Sequence, residues 1–369
     1  MRTIHSTLLA IIIVTALVRL PAQEVHPYTG AEASLENRWK WALDESSRVG
    51  AGKDFWVGYS IQRLMDEDSY VLSGNVFSGS VSSRVSLYDV LKLAKPEGIK
   101  TNARSESNAG TSIFKRMKDV AMLLLCSKGS AGQTVVQKVD ICTMELSTNL
   151  KKTPVFWVGQ SDDEQSVRLL AELYKTASLP EARKRFVEAI GIHQQSKQVY
   201  PFLSDLLKSD DPDEVRSNAA FWLSEQHNPE GLQLLMNVAQ SDRSLKVREQ
   251  AVFAISQIGD NASTDALITL VRKSDDTKLR AKAAFWLGQI ASRKAIATLE
   301  DIVASDDQTD VQRQALYALS QQKDTEGVDR LIRIANTHPN PRIRKQAIQI
   351  LGQSEDPRAL GALIEIVRK

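Results

Sequence analysis

The chain has 369 residues, with 47 Lys and Arg against 45 Asp and Glu and a formal net charge of +2. That near balance excludes the strong single-sign field expected of a protein that binds nucleic acid or an anionic membrane. The length exceeds what one ordinary compact core holds, so more than one structural unit is expected.

Residues 1–22 stand apart. Arg2 and His5 precede an apolar run from Leu8 to Val18, followed by Arg19-Leu20-Pro21-Ala22. The run is about half of the ~20 residues needed to span a bilayer. A basic start, a short apolar core and a small residue before a polar one predict a secretory signal peptide cleaved near Ala22. The expected location is periplasmic or secreted, with no membrane insertion after cleavage.

Residues 33–160 predict a small β-rich α+β domain. Ala33–Asp44, carrying Trp39 and Trp41, reads as a helix packed on a sheet. Strands are predicted at Asp54–Ile61, Tyr70–Leu72, Val120–Cys126, Thr134–Met144 and Pro154–Val158, from β-branched content and alternation. Ser86–Leu93 and Ile113–Lys118 read as short helical turns, and residues 95–110 as an exposed loop. The two cysteines, Cys126 and Cys142, flank the turn Lys128-Gly129-Ser130-Ala131-Gly132. If the strands on either side fold back, the pair is a disulfide candidate in an oxidising compartment, or else two separate buried thiols; strand register decides.

From about residue 161 to 369 the chain repeats itself. Val215-Arg216-Ser217-Asn218-Ala219-Ala220-Phe221-Trp222-Leu223 returns in altered form from Val247, Leu279, Val311 and Ile343, each start 32 residues after the last. A degenerate copy begins at Ala182. A second column, Leu235, Leu267, Leu299, Leu331 and Leu363, keeps the same step. Each repeat therefore holds two amphipathic helices, A and then B. The Ser- and Asp-rich links between them, such as Ser241-Asp242 and Ser305-Asp306-Asp307, supply side-chain oxygens for helix starts. One such pair cannot bury both its helices, but a stack buries a continuous core, which predicts an α-solenoid.

These residues resemble the HEAT repeat family, in particular the short HEAT-like repeats of phycobilisome lyase subunits. The likeness rests on the apolar-Arg-x-x-Ala-x-x-x-Leu pattern of helix B; Gln312 departs from it by standing where Arg is usual. The resemblance implies about six repeats and a final helix A that caps the stack. It also implies B helices on the concave side. The preceding β-rich region, with Asp140-Ile141-Cys142 and Pro154–Val158, resembles exported bacterial proteins that carry HEAT repeats. Ser147-Thr148-Asn149 stands where a glycine-rich step is usual in them.

On helix B, positions 215, 219, 220, 222 and 223 are apolar or Ala in every copy and face the core. Trp222, Ala254, Trp286 and Ala318 alternate large and small, which reads as packing between neighbours. The opposite side carries Phe221, Phe253, Phe285 and Tyr317, then Gln349. One turn further on lie Glu225, Gln257, Gln289, Gln321 and Gln353. Aromatics provide anchor area, and amides both donate and accept hydrogen bonds, so this column is the candidate contact for a protein or extended peptide. Two plainer readings stand beside it: aromatics tucked against the next repeat, and glutamines on a solvated face. The Arg216, Arg248, Arg280 and Arg344 column is expected to pair with the Asp-rich links or with helix C-termini.

No chemistry-bearing motif emerges. The five histidines are scattered, no H-E-x-x-H or phosphate-binding glycine loop occurs, and neither a metal nor a cofactor is called for. A non-enzymatic binding scaffold outside the cytoplasm is the expectation. Its rivals are an envelope sensor or assembly component whose β domain binds a ligand, and an enzyme subunit of the phycobilin-lyase-like kind.

Overall fold

A computed structural model describes residues 23–67, 69–72, 75–78, 86–95, 115–129, 133–146, 148, 150–226, 228–290, 292–321 and 326–368. The expected signal peptide and nearly all of the 95–110 loop lie outside these residues. Among them, no helix is long and apolar enough to cross a membrane.

The amino-terminal part is built around β2 (Asp54–Asp66) and β5 (Lys115–Lys128), paired antiparallel from Asp54 opposite Ser127 to Asp66 opposite Lys115. With β1 (Val25–Pro27), β3 (Ser69–Leu72), β4 (Asn75–Ser78), β6 (Thr134–Thr143) and β7 (Val155–Gln160) they form one mixed sheet, ordered β1-β7-β2-β5-β6-β3-β4. Helix α1 (Leu35–Arg48), capped by the Ser34 hydroxyl, buries Leu35, Trp39 and Ala42 on one face. The short α2 (Leu87–Leu91) covers the other face, where Leu87, Tyr88 and Leu91 meet Trp56, Leu123 and Trp157.

One expectation fails in this region and one open alternative is decided. Lys115–Lys118 is strand, not a helical turn, because Arg116 and Met117 pair with Met65 and Leu64 at the far end of β2. Long-range pairing overrides local propensity there. Lys118 is buried and donates from Nζ to the carbonyls of Glu67 and Ser69, at 2.7 and 2.6 Å. Second, Cys126 and Cys142 are not joined. The strands do fold back on each other, but Cys126 sits opposite Val136 and Cys142 opposite Ala121. Six residues along β6 separate Val136 from Cys142, about 20 Å at the rise of a strand. The thiols also point to opposite faces, Cys126 into the core shared with the helices and Cys142 into the one under α2.

The helical part follows directly. Its A helices are α3 (Asp163–Thr176), α5 (Val199–Lys208), α7 (Pro229–Ser241), α9 (Asn261–Lys273), α11 (Arg293–Ser305), α13 (Gly327–Thr337) and α15 (Pro357–Arg368). Its B helices are α4 (Pro180–Gly191), α6 (Asp213–Ser224), α8 (Leu245–Ile258), α10 (Thr277–Leu287), α12 (Thr309–Ser320) and α14 (Pro341–Leu351). Leu235, Leu267, Leu299 and Leu331 are all buried, as are Val215, Ala219, Ala220, Trp222 and Leu223. Neighbouring repeats approach closely at small residues: a Cβ on Gly191 would fall 2.4 Å from the Trp222 ring, and one on Gly288 2.4 Å from the Ala318 Cβ.

Sheet and solenoid share one core, since α3 and α4 pack on the face that α1 also covers. At this joint the Tyr59 hydroxyl meets Ser166 Oγ at 2.8 Å, and Ser166 Oγ meets His193 Nε2 at 2.8 Å. His193 Nδ1 lies 3.1 Å from the Ile190 carbonyl, which can only accept. The protons are thereby ordered: Nδ1–H donates to Ile190, Nε2 accepts from Ser166, and Ser166 accepts from Tyr59. Arg63 and Leu64 of β2 extend the joint through bonds to the Ile192 carbonyl and the Gln194 amide.

Candidate protein-binding face

Adjacent B helices pack against each other far more extensively than adjacent A helices do. The stack therefore curves with its B helices on the inner side. On that side Phe221 and Phe253 lie nearly parallel, with ring centroids 6.2 Å apart. Phe253 then meets Trp286 at 4.8 Å, and Trp286 meets Phe285 at 5.0 Å. The aromatic row is continuous across three repeats. Phe221, Phe253 and Phe285 are half-buried, while Tyr317 is 43% exposed.

Beside this row the structure places Gln257, Gln289, Gln321 and Gln353, all exposed. Gln257 and Gln321 donate only to the serine before them on their own helix, at 3.1 and 3.5 Å. Among the described residues none of the four is tied to a neighbouring repeat. A second polar column of the B helices, Asn218, Gln250, Lys282, Gln314 and Gln346, also runs beside the aromatics and behaves differently. Asn218 donates to the Lys184 carbonyl at 3.1 Å, Lys282 pairs with Glu249 at 3.6 Å, and Arg313 and Gln346 bond to each other. Those residues knit B helix to B helix, so the two polar columns of the sequence divide into one that holds the stack and one that faces solvent.

Sequence reasoning missed Trp286. It was assigned to the core with Trp222, which is 4% exposed. Trp286 is half-buried and its Nε1 has no hydrogen-bond partner. Trp222 rests over Gly191; in the repeat register Ser256 stands one repeat before Gly288, where the B helix preceding Trp286 ends. With no glycine to receive it, the indole turns onto Phe253. The signal was legible: the residue ending the preceding B helix decides whether a large side chain can enter the stack.

The arginine column lies away from this face; Arg344 donates to the carbonyls of His338 and Pro339, at 2.7 and 3.0 Å, and the others meet carboxylates. Arg183 pairs with Asp211, Arg216 with Asp213 (2.8 Å) and Asp242, Arg248 with Asp276 (3.2 Å), and Arg280 with Asp306. Hydrogen bonds from Ser244 and Arg216 hold the Asp213 carboxyl below its usual range. Asp276 does cap a helix start, accepting from Lys278 N at 2.8 Å. Asp242 and Asp306, expected to do the same, instead end the A helices and serve the arginines.

The odd repeat explains itself in this register. Gln312 replaces Arg, and the position 26 residues on is His338 instead of Asp. Gln312 Nε2 donates to the Val303 carbonyl at 3.1 Å, as Arg280 Nε does to Val271. His338 Nδ1 accepts from Asn340 N at 3.1 Å, as Asp306 accepts from Gln308 N at 2.9 Å. A neutral pair thus keeps the flanking hydrogen bonds of the charged one, and in place of the bond between Arg280 and Asp306 the His338 Nε2 donates to the same Val303 carbonyl at 2.6 Å.

Among the described residues no three His, Cys, Asp or Glu side chains are grouped to hold a metal. Ser166 and His193 have the contact of a nucleophile and its base, yet both are shut off from solvent. A groove of about 660 Å³ at the joint is lined by Tyr28, Arg38, Gln160, Asp162, Asp163 and Gln195. Three of its charged groups are engaged locally: Arg38 with the Val158 carbonyl, Asp162 as the α3 cap, Asp163 with Gln194 N and Gln195 N.

Residues 145–224, 200–285, 264–337 and 298–369 each match the family of HEAT repeats. The chain belongs to the HEAT repeat family. No curated protein matches it. Among solved structures, an archaeal HEAT-like repeat protein from Thermococcus onnurineus is 17% identical, covering 55% of this chain and 88% of its own at a TM-score of 0.33. The phycocyanin lyase complex of CpcE and CpcF from Nostoc is 19% identical over 54% and 82%, at 0.28. Human deoxyhypusine hydroxylase is 16% identical over 55% and 85%, at 0.24. These are likenesses of fold.

Proposed function

We propose that this HEAT repeat protein is a non-enzymatic scaffold that holds a protein or extended peptide against its inner B-helix face. The observation that carries the reading is the exposed row Gln257, Gln289, Gln321 and Gln353 beside a continuous aromatic row. Four amides repeated at one position, none spent on the stack, offer evenly spaced donors and acceptors to a polypeptide backbone. The half-buried rings give apolar area at fixed positions, with little entropy to lose on binding. The leader-like residues 1–22 support action in the periplasm or outside the cell.

The test replaces Gln257, Gln289 and Gln321 together with Ala. These are exposed positions at the ends of helices, so the melting temperature is expected to stay within a few degrees. Affinity capture and crosslinking from the native envelope identify the partner, and the triple variant is expected to recover at least about tenfold less of it. Equal recovery by both forms would sink the reading. Amino-terminal sequencing of the protein from cell fractions checks the location; a retained Met1 in the cytoplasm contradicts it.

A further inference from the structure

Strand β2 is paired along its whole length on one side and along only half of it on the other. β5 runs beside it from Asp54 to Asp66, whereas β7 leaves at Gln160, and the last bond across that edge runs from Ser161 N to the Ser60 carbonyl at 2.8 Å. Backbone groups of alternate strand residues point to the same edge, so beyond Ser60 those of Gln62, Leu64 and Asp66 face the open side. Leu64 is met there by a side chain: its N–H donates to Gln194 Oε1 at 3.2 Å, and Gln194 Nε2 donates to its carbonyl at 3.4 Å. One carboxamide thus supplies both bonds that a neighbouring strand would. Among the described residues nothing bonds to the N–H or C=O of Gln62 or Asp66 on that side.

We propose that this open edge of β2 takes a strand from a partner, an extended segment in which apolar and basic residues alternate. Main-chain bonding to a sheet edge is a recurring way of holding an extended peptide. The surroundings choose the side chains. Leu64 and its cross-strand neighbour Met117 turn away from the core shared with the helices and are 47% and 39% exposed. Apolar side chains on every second residue of an added strand cover them. The residues between turn to the opposite face, where α3 packs. The groove of about 660 Å³ that Gln62 lines carries Glu32, Asp162 and Asp163 against one cation, Arg38, which is given to the Val158 carbonyl. Asp162 and Asp163 meet amides and no cation at bonding distance, and Arg63 is turned to the Ile192 carbonyl. Lysine or arginine side chains complement that rim. Gln194 is exposed and its two bonds are long, so it swings aside when the strand arrives.

The probe is a short fluorescent peptide of alternating Val and Lys, blocked at both ends and titrated against the full chain by anisotropy. So short a strand makes only a few main-chain bonds, and a Kd of about 0.1–1 mM is expected. Two further peptides carry backbone N-methyl groups on all Val or on all Lys. One of them turns its methyls to β2 and should bind at least about tenfold more weakly, while the other should bind as the parent peptide does. Replacing Lys with Glu in the probe should cost at least about tenfold as well. Gln62→Pro removes an N–H that faces the open edge and leaves the β5 ladder whole; it should weaken the parent peptide to the same degree. Hydrogen exchange read by mass spectrometry should show residues 61–67 protected in the complex. No binding up to about 2 mM, equal behaviour of the two methylated peptides, undiminished binding of the Glu peptide or by folded Gln62→Pro, or no protection of residues 61–67 would each overturn the proposal.

Discussion

The Gln312–His338 pair makes the arginine column open to a direct exchange experiment. Arg280 and Asp306 occupy the same two positions one repeat earlier; Arg280 is 16% exposed and Asp306 1%. Arg280→Gln alone leaves a buried carboxylate without its cation, which typically costs about 3–5 kcal/mol. Asp306 keeps the Gln308 amide at 2.9 Å, so about 2–3 kcal/mol is the better figure here. Asp306→His alone sets an imidazole against a guanidinium and should cost a similar amount. The double variant recreates the arrangement seen at Gln312 and His338: an amide donating to the Val271 carbonyl, and an imidazole accepting from residue 308 N. It lacks only the donor that Asn340 Nδ2 gives to Gln312 Oε1 at 3.2 Å, worth about 1 kcal/mol. The double should therefore lie within about 1–1.5 kcal/mol of the parent, with a coupling of at least about 2 kcal/mol between the sites. Urea unfolding followed by far-UV circular dichroism, at equal slope for all four proteins, reads this out. If the double loses the sum of the singles, the two pairs are not interchangeable, and the hydrogen-bond equivalence is refuted.

Three further outcomes are expected. Burial holds the His193 pKa below its ordinary value of 6.5; the unfolded chain then binds the extra proton first, so this stability is complete above about pH 6.5, starts to fall there and is lost as pH drops through the lowered folded pKa. Thermal melts of the parent should weaken between about pH 6.5 and 5, and His193→Gln should flatten that part of the profile; an unchanged profile in the variant contradicts the assignment. Both cysteines are buried thiols, with Cys142 pushed up to about 12 and Cys126 also raised by burial, so a thiol reagent at pH 8 should find neither in the native protein and both in urea without reductant. Gly288→Ala should cost about 1–3 kcal/mol through overpacking, because the new methyl falls 2.4 Å from the Ala318 Cβ; Ala318→Gly in the same chain should return most of it.

The solenoid was legible because its information is local and repeated. Each B helix buries the same positions, and five copies of one spacing reveal the two-helix unit whatever any single residue prefers. The sheet was legible where strands carry apolar runs or alternation rich in β-branched residues, as in Asp54–Ile61, Val120–Cys126 and Thr134–Met144. The polar extensions of the first two, Gln62–Asp66 and Lys115–Asp119, are strand because they pair with each other, and nothing nearby in sequence announces a partner about fifty residues away. β1 escaped for a related reason: three residues carry no period, and it exists through its parallel pairing with Val155–Trp157. The cysteine question turned on register, which a one-residue slip would reverse.

At the binding face the sequence located the right columns but could not sort them. Asn218 and Gln257 are both polar residues on the B helices, yet one is spent on the neighbouring helix and the other is not. The difference runs along the helix and not around it: seven residues apart in the motif, the two positions lie within about 20° of each other, but the first sits mid-helix against the neighbouring B helix and the second at the helix end. Angular plotting places both on the same broad polar side, because it knows one helix and not the direction of the next. The same ignorance hid Trp286, whose position is set by what the previous repeat offers it. In a solenoid the residues free to bind are those left over after each repeat has satisfied its two neighbours. A contact surface is therefore read by subtracting inter-repeat bonds from the pattern of a single repeat, and that subtraction leaves the glutamine row and the edges of the aromatic rings.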